Sequence, residues 1–100
     1  MKMGQPEKAY EHLVQAAKDA PGVPLVHYNL AMVYRKRAQT AEAIASAQKC
    51  VELDPGFAEG HYLLGQLYRT AGQMESAQRE MAIFQEIKNK EPQPSGDGHP

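Results

Sequence analysis

The chain has 100 residues, with 11 lysine and arginine residues against 12 aspartate and glutamate residues and a net charge of -1. A chain of this length folds as at most one small domain with an economical core, and its single cysteine excludes an internal disulfide framework. The balanced charge gives no overall field to attract nucleic acid or an anionic membrane, so we expect neither partner.

Proline and glycine divide the chain into five predicted helices, at residues 6–19, 24–37, 41–53, 58–70 and 74–88. Pro21-Gly22 and Asp54-Pro55-Gly56 end helices, because proline cannot continue the hydrogen-bond ladder and glycine accepts a left-handed turn. Shorter breaks fall at 38–40 and 71–73, where Thr40 is a candidate N-cap. Between the breaks, apolar residues recur three or four apart, as is typical of amphipathic helices.

The sequence also repeats itself at an interval of 34 residues. Residues that recur at this interval are Gln5, Gln39 and Gln73; Ala9, Ala43 and Ala77; and the pairs Pro21 and Pro55, Gly22 and Gly56, His27 and His61, Tyr28 and Tyr62, Leu30 and Leu64, Tyr34 and Tyr68, and Arg35 and Arg69. So many coincidences at one interval indicate a structural repeat.

These residues resemble the tetratricopeptide repeat family over residues 4–88. The family pattern is a large residue, then Leu, a small residue and Tyr, followed later by Ala and a closing Pro. One repeat matches it with His27, Leu30, Ala31, Tyr34, Ala43 and Pro55. The next repeat matches it with His61, Leu64, Gly65, Tyr68 and Ala77, and has Asn89 in place of the proline. The resemblance implies an all-α fold of antiparallel helix hairpins stacked as a short right-handed α-solenoid. The first helix of each repeat would line its concave face.

Two kinds of position depart from the family pattern. The bulky residue expected on the second helix is Ala47 in one repeat and Met81 in the next, so packing there is expected to be looser. His27 and His61 stand where the family often has Trp, which thins the core.

The resemblance divides residues 1–90 into a half repeat at 4–22 and repeats at 24–55 and 58–89, followed by a disordered tail at 91–100 rich in Pro and Gly. The chain is thus interpreted as a C-terminal fragment of about two and a half repeats, with upstream sequence missing and both ends expected to be adhesive. The last helix carries an apolar stripe: Met74, Ala77, Met81, Phe84 and Ile87, with Ile83 beside it. Either the stripe packs wholly on the preceding helices, or it is half exposed and drives homo-oligomer formation.

Projecting the first helices from their core positions leaves ten residues facing the concave side. These are Leu25, Tyr28, Asn29, Met32, Lys36, Glu59, Tyr62, Leu63, Gln66 and Arg69. Aromatic and thioether side chains give apolar contact and amides pair with an extended backbone, so the mixture suits a peptide. Asn29 matches a groove asparagine that members of the family use to bond a ligand main chain, or else it is a solvated helix residue. Tyr28 and Tyr62 either contact the ligand or fill the contact between repeats.

Some family members hold the C termini of heat-shock chaperones with a clamp of Lys, Arg and Asn side chains. Only Asn29 fits this clamp. Other residue types occupy the remaining clamp positions, at Tyr28, Met32, Glu59 and Leu63. The sequence therefore argues against a carboxylate clamp.

Other chemistry is weakly indicated. The basic run 35–37 is either an anion or acidic-peptide patch or, as we favour, a helix end that offsets its own dipole. His27 and His61 face the core and have no further zinc ligand at a suitable spacing. The repeat equivalents of Cys50 are Ala16 and Phe84, which indicates packing rather than catalysis. We predict no catalytic, cofactor or metal residues.

The sequence therefore predicts a protein–protein interaction module that binds a peptide or partner protein on its concave face, and not an enzyme. The alternative is a self-associating structural segment of a larger repeat protein. A metal-binding or catalytic role is the weakest hypothesis, and cytoplasmic location is only a default expectation.

Overall fold

The computed structural model describes residues 5–91, with side chains from residue 7 onward. Five helices account for nearly all of this part: α1 (Gln5–Asp19), α2 (Pro24–Lys36), α3 (Thr40–Leu53), α4 (Ala58–Thr70) and α5 (Met74–Lys90). No strand occurs within these residues, and the all-α prediction is confirmed. The predicted helix ends differ from the observed ones by two residues at most. Except for Glu91, the predicted tail lies outside the described residues.

The helices pack in chain order as a stack. α2 pairs with α3 and α4 with α5 as antiparallel hairpins, while α1 packs on α2 and α3 packs on α4. The result is elongated, with extents of 50 × 29 × 29 Å. The predicted helical-repeat solenoid is therefore confirmed. No helix of the described part has both the length and the apolar character that crossing a membrane would require.

Small residues lie where neighbouring helices cross. Ala31, Ala43 and Ala47 are completely or almost completely buried in one cluster with leucines of α4. In the second hairpin, Gly65 of α4 faces Met81 of α5, and a Cβ added at Gly65 would lie 2.9 Å from the Met81 Cε atom. Two helices approach closely only over small side chains, so these alanines and Gly65 allow the short distance between neighbouring helices.

The start of α3 differs from the prediction. Gln39, not Thr40, is the N-cap residue, and no side chain caps the helix. The reason is that the amide of Ala43 already bonds to the Gln39 carbonyl at 3.0 Å, so helical bonding begins one residue before Thr40 could serve as a cap.

The apolar stripe of α5 is mostly covered by the preceding helices. Ala77 is buried, and Met81, Phe84 and Ile87 are half-buried. Met74 and Ile83 are exposed. The stripe therefore serves mainly as core, with apolar side chains left open at its first turn and at one edge.

Candidate functional site

One face of α2 carries five of the predicted concave residues. Leu25, Asn29, Met32 and Lys36 follow one another at helical spacings of three or four, which places them in a row along the helix. Leu25 is 52% exposed, Asn29 and Lys36 are exposed, and Met32 is half-buried. This row combines apolar surface with an amide and a cation.

Tyr28 lies beside this row and is half-buried because its ring contacts the next repeat. Its ring stacks on the ring of Phe57, with centroids 5.3 Å apart and an angle of 24° between the planes. Tyr28 therefore fills a contact between repeats, and part of its surface remains open.

The matching face of α4 carries Glu59, Tyr62, Gln66 and Arg69. Glu59, Tyr62 and Arg69 are exposed, and Gln66 is half-buried. Tyr62 is 42% exposed although its ring contacts Phe84 of α5, with centroids 5.0 Å apart. The two tyrosines are thus each supported by a phenylalanine, which the repeat pattern did not reveal because Phe57 and Phe84 are not at equivalent positions.

Leu63 is a correction to the predicted site. Its side chain is 2% exposed and belongs to the hydrophobic cluster with Ala31 and Ala43. The equivalent residue one repeat earlier, Asn29, is exposed. The difference arises because α4 has the complete α2–α3 hairpin before it, whereas only α1 precedes α2 among the described helices. Leu63 therefore does not belong to the open surface.

The basic residues at the end of α2 are used differently from one another. Arg37 forms an ion pair with Glu7 of α1 at 3.0 Å and places its guanidinium 4.2 Å from the centre of the Tyr10 ring. Arg35 donates to the Gln66 side-chain oxygen at 3.3 Å and so connects α2 with α4. Arg37 thus connects the end of α2 with α1, and Arg35 connects the α2 part of the candidate site with its α4 part.

The buried histidines His27 and His61 each connect a helix to the turn before it. In both, a ring Nε2 lies 2.8 Å from a proline carbonyl six residues earlier, Pro21 for His27 and Pro55 for His61. A carbonyl only accepts, so this nitrogen carries the proton. These buried side chains link helix and turn, and among the described residues no group of three His, Cys, Asp or Glu side chains is placed to hold a metal ion.

Cys50 lies in the core at the contact of α3 with α4. It is 0% exposed, and its sulfur lies 3.1 Å from where a Cβ of Gly60 would be. Burial, with a smaller effect of the Asp54 charge, raises the pKa of the Cys50 thiol to about 11. The thiol is therefore protonated at neutral pH, the opposite of an activated nucleophile.

Two models of one family match the described helices. Both are described as tetratricopeptide repeat, one over residues 24–57 and the other over residues 46–79, and together they span more than half of the chain. The chain belongs to the tetratricopeptide repeat family. The match at 24–57 covers the α2–α3 hairpin with its following turn, and the match at 46–79 extends it through α4.

The curated relatives are similar over part of the tetratricopeptide segment. Hsp70-Hsp90 organizing protein 2 of Arabidopsis thaliana is 38% identical over 53 residues, 53% of this chain and 9% of that protein. Hsp70-Hsp90 organizing protein 3 of the same plant is 35% identical over 54 residues, 54% of this chain and 10% of that protein. The chain therefore matches about a tenth of the length of these relatives.

Solved structures share the fold. MamA from Desulfovibrio magneticus RS-1 superposes with a TM-score of 0.84 at 24% identity, over 92% of this chain and 52% of that one. The second TPR of Spaghetti (RPAP3), bound to the HSP90 peptide SRMEEVD, superposes with a TM-score of 0.80 at 21% identity, over 86% of this chain and 80% of that one. At these identities the likeness concerns the fold. With the family match, it identifies the chain as a protein-interaction module.

Proposed function

We propose that the chain binds an extended peptide segment of a partner protein on the α2–α4 face, defined by the nine remaining predicted residues. These are Leu25, Tyr28, Asn29, Met32, Lys36, Glu59, Tyr62, Gln66 and Arg69. The observation that carries the proposal is that Leu25 and Tyr62, two of the large apolar side chains exposed in the described part, lie on adjacent first helices. Exposed aromatic and aliphatic side chains on a rigid scaffold are typical anchors for a peptide.

The polar groups of the face suit an extended main chain. The exposed amide of Asn29 can donate to one peptide carbonyl and accept from one peptide amide. Gln66 is already positioned by its bond from Arg35, which leaves its amide NH₂ group for a ligand. Because Gln66 is positioned in advance, it can bind a peptide main chain at a low cost in side-chain entropy.

Charges at the two ends of the face would orient the peptide. Lys36 and Arg69 lie at the carboxyl ends of α2 and α4, and Glu59 lies in the first turn of α4. An acidic residue of the ligand would be attracted to the first end and a basic residue to the second. An acidic side chain within the ligand would therefore lie beside Lys36 or Arg69, and a basic side chain would lie beside Glu59.

A free terminal carboxylate is not the main feature recognised. Two positions that carry basic residues in the clamp hold Glu59, which repels a carboxylate, and Leu63, which is buried. We therefore propose that apolar contact with Leu25, Tyr28 and Tyr62 supplies most of the affinity, unlike recognition of a peptide that ends in acidic residues.

A selection from a random peptide library displayed on phage tests the proposal, with affinities measured by fluorescence anisotropy. The double variant Asn29→Ala/Tyr62→Ala should bind the selected peptide at least about tenfold more weakly, since truncation of an interface anchor typically costs about 2 kcal/mol. Leu53→Ala is the matched control, because Leu53 is also an exposed large apolar residue but ends α3. Equal loss in both variants would refute the assignment of the face.

The same assay separates apolar recognition from a clamp. The peptide SRMEEVD should bind no more tightly than a scrambled peptide of the same composition. Clearly tighter binding of SRMEEVD would show that the chain recognises an acidic terminus in spite of Glu59.

A further inference from the structure

Six residues of α2 and α4 form two equivalent sets of three, each with a tyrosine at one end and an arginine at the other. These are Tyr28, Met32 and Arg35 on α2, and Tyr62, Gln66 and Arg69 on α4. Residues at these spacings of four and three lie on one side of a helix. The middle residues are half-buried and both arginines are exposed. We call this surface the Tyr–Arg strip, with a tyrosine edge, an arginine edge and a lower middle.

The two edges of the strip are held in place by neighbouring side chains. Each tyrosine ring packs on a phenylalanine ring, with centroids 5.3 Å apart for Tyr28 and 5.0 Å apart for Tyr62. Arg35 reaches across to α4, where it donates to the Gln66 side-chain oxygen at 3.3 Å. These groups are therefore positioned before a ligand arrives, which lowers the entropy cost of binding.

The bond between Arg35 and Gln66 leaves mainly N–H donors open at the arginine edge. The amide oxygen of Gln66 is engaged, while its NH₂ group and the other guanidinium N–H groups of Arg35 remain. Among the described residues, neither Arg35 nor Arg69 forms an ion pair with a carboxylate. A positive charge surrounded by N–H donors is complemented best by a carboxylate from outside.

The width of the strip suits an extended peptide. On each helix the tyrosine and the arginine are seven residues apart, as in Tyr28 and Arg35. This separation is two helical turns, or about 10 Å along the axis. A β-strand with side chains on both sides is also about 10 Å thick, as the packing distance of stacked sheets shows. A strand that crosses α2 and α4 would thus direct its side chains alternately to the tyrosine edge and to the arginine edge.

We propose that the strip selects an extended peptide in which apolar and acidic residues alternate. The apolar residues would contact Tyr28 and Tyr62, and the carboxylates between them would pair with Arg35 and Arg69. Arg35 is then a specificity-determining residue, although it is not one of the nine residues that define the α2–α4 face. The inference rests on the proposed function, because it specifies the ligand of that same face.

A single-stranded nucleic acid is the other ligand that combines aromatic and arginine contacts, through stacked bases and phosphates. Three observations favour the peptide. One side of the Tyr28 ring is covered by Phe57, and the carboxylate of Glu59 lies one turn before Tyr62. The net charge of -1 gives no surrounding field to attract a polyanion.

The test uses three labelled peptides with blocked termini, so that no free terminal carboxylate contributes. They are the alternating acidic peptide Ac-SLEYELES-NH₂, the block peptide Ac-SLYLEEES-NH₂ of the same composition, and the alternating basic peptide Ac-SLKYKLKS-NH₂. In fluorescence anisotropy with the full chain, the alternating acidic peptide should bind saturably. Its affinity should exceed that of the block peptide at least about fivefold, the upper end for one exposed ion pair, and the basic peptide should bind most weakly.

Three variants of the chain locate the effect. Arg35→Glu should weaken the alternating acidic peptide at least about fivefold and tighten the basic peptide, an exchange that a merely structural role of Arg35 would not produce. Gln66→Glu keeps Arg35 but supplies it with an internal carboxylate, so it should also weaken the acidic peptide. Arg79→Glu is the matched control, since Arg79 is an exposed arginine of α5 outside the strip, and should change neither affinity.

Equal affinities for the alternating and block acidic peptides would overturn the proposal, and so would equal effects of Arg35→Glu and Arg79→Glu. Tighter, Arg35-dependent binding of a labelled oligouridine would overturn it in favour of a nucleic acid. The library-selected peptide separates this failure from failure of the proposed function. If its binding still depends on Asn29 and Tyr62, the face binds peptides and only the alternation of apolar and acidic residues is refuted.

Discussion

Ala38 and Gly72 lie one repeat apart and have the same left-handed backbone conformation, with φ angles of 62° and 82°. Each follows the first helix of a hairpin, and in each turn the next amide bonds to the carbonyl five residues earlier, at 2.9 and 2.8 Å. This bond is typical of a helix end closed by a left-handed residue. An alanine carries a steric cost in that conformation, whereas a glycine does not.

The first prediction concerns this pair of turns. Ala38→Gly should stabilise the fold by up to about 1 kcal/mol, and Gly72→Ala should destabilise it by about 1–2 kcal/mol, because only Ala carries the Cβ that clashes in the left-handed region. Urea denaturation followed by circular dichroism measures both. Ala20→Gly, in the turn after α1 where no positive φ occurs, is the control and should not be stabilising.

A second prediction follows from the two histidines. The Nδ1 atom of His61 lies 2.7 Å from a carboxylate oxygen of Glu80, in addition to the bond from Nε2 to Pro55. His61→Phe leaves the Pro55 carbonyl without its donor and the Glu80 carboxyl group without its partner, and should cost about 2–3 kcal/mol of unfolding free energy. His27→Phe removes only the bond to Pro21 and should cost about 1 kcal/mol.

The double variant His61→Phe/Glu80→Leu provides the check on this explanation. Removing the Glu80 side-chain carboxyl group should recover part of the loss, since no half-buried carboxyl group is then left without a partner. Equal costs for the two histidine variants, or no recovery in the double variant, would contradict the role given to Glu80. The measurement is the urea concentration at the midpoint of unfolding, compared between variants whose unfolding free energy depends on urea concentration with the same slope.

The third prediction compares two glycines of α4. At Gly65 an added Cβ would lie 2.9 Å from Cε, 3.2 Å from Sδ and 3.3 Å from Cγ of Met81. The flexible Met81 side chain has to shift, and the helix preference of alanine, about 1 kcal/mol over glycine, offsets this cost, so Gly65→Ala should be neutral within about 0.5 kcal/mol. At Gly60 the Cβ would lie 3.0 Å from a methyl of Val51, whose side chain is stiff. Gly60→Ala should therefore be less stable than Gly65→Ala by about 1–2 kcal/mol, measured by thermal unfolding. The reverse order would show that α3 and α4 are less closely packed than described.

The fourth prediction uses the buried thiol. Because burial raises the pKa of Cys50 from 9.0 to about 11, the native state keeps the proton in a pH range where the unfolded chain loses it. Stability from this group is complete below pH 9 and falls as the pH rises toward 11. Cys50→Ala should remove this part of the pH dependence. Unfolding measured at several pH values in both proteins isolates the effect, and identical slopes would contradict it.

Much of the fold could be predicted from the sequence because the relevant signals are local. Proline and glycine in the turns and the periodic leucines fixed five helices to within two residues. The predicted N-cap of α3, Thr40, differs from the observed one by one residue, because threonine is a good cap by type whereas the turn at Ala38 determines where the helix begins. That turn depends on the left-handed backbone conformation of Ala38, which an alanine in the sequence does not predict.

The candidate site was less predictable because it depends on neighbours across the stack. Helical projection treats Asn29 and Leu63 alike, yet only Leu63 has a complete hairpin before it and is buried. The stacking of Tyr28 on Phe57 and the ion pair from Arg37 to Glu7 also join separate elements. Such contacts follow from the superhelical arrangement, and the 34-residue spacing alone does not determine them.

The proposed peptide-binding face is tested most directly by nuclear magnetic resonance of the ¹⁵N-labelled chain, titrated with the peptide selected from the random library. The amide shifts that change most should belong to α2 and α4, including Leu25, Asn29 and Tyr62. Changes confined to α1 or to the outer side of α5, with these amides unmoved, would contradict the central claim.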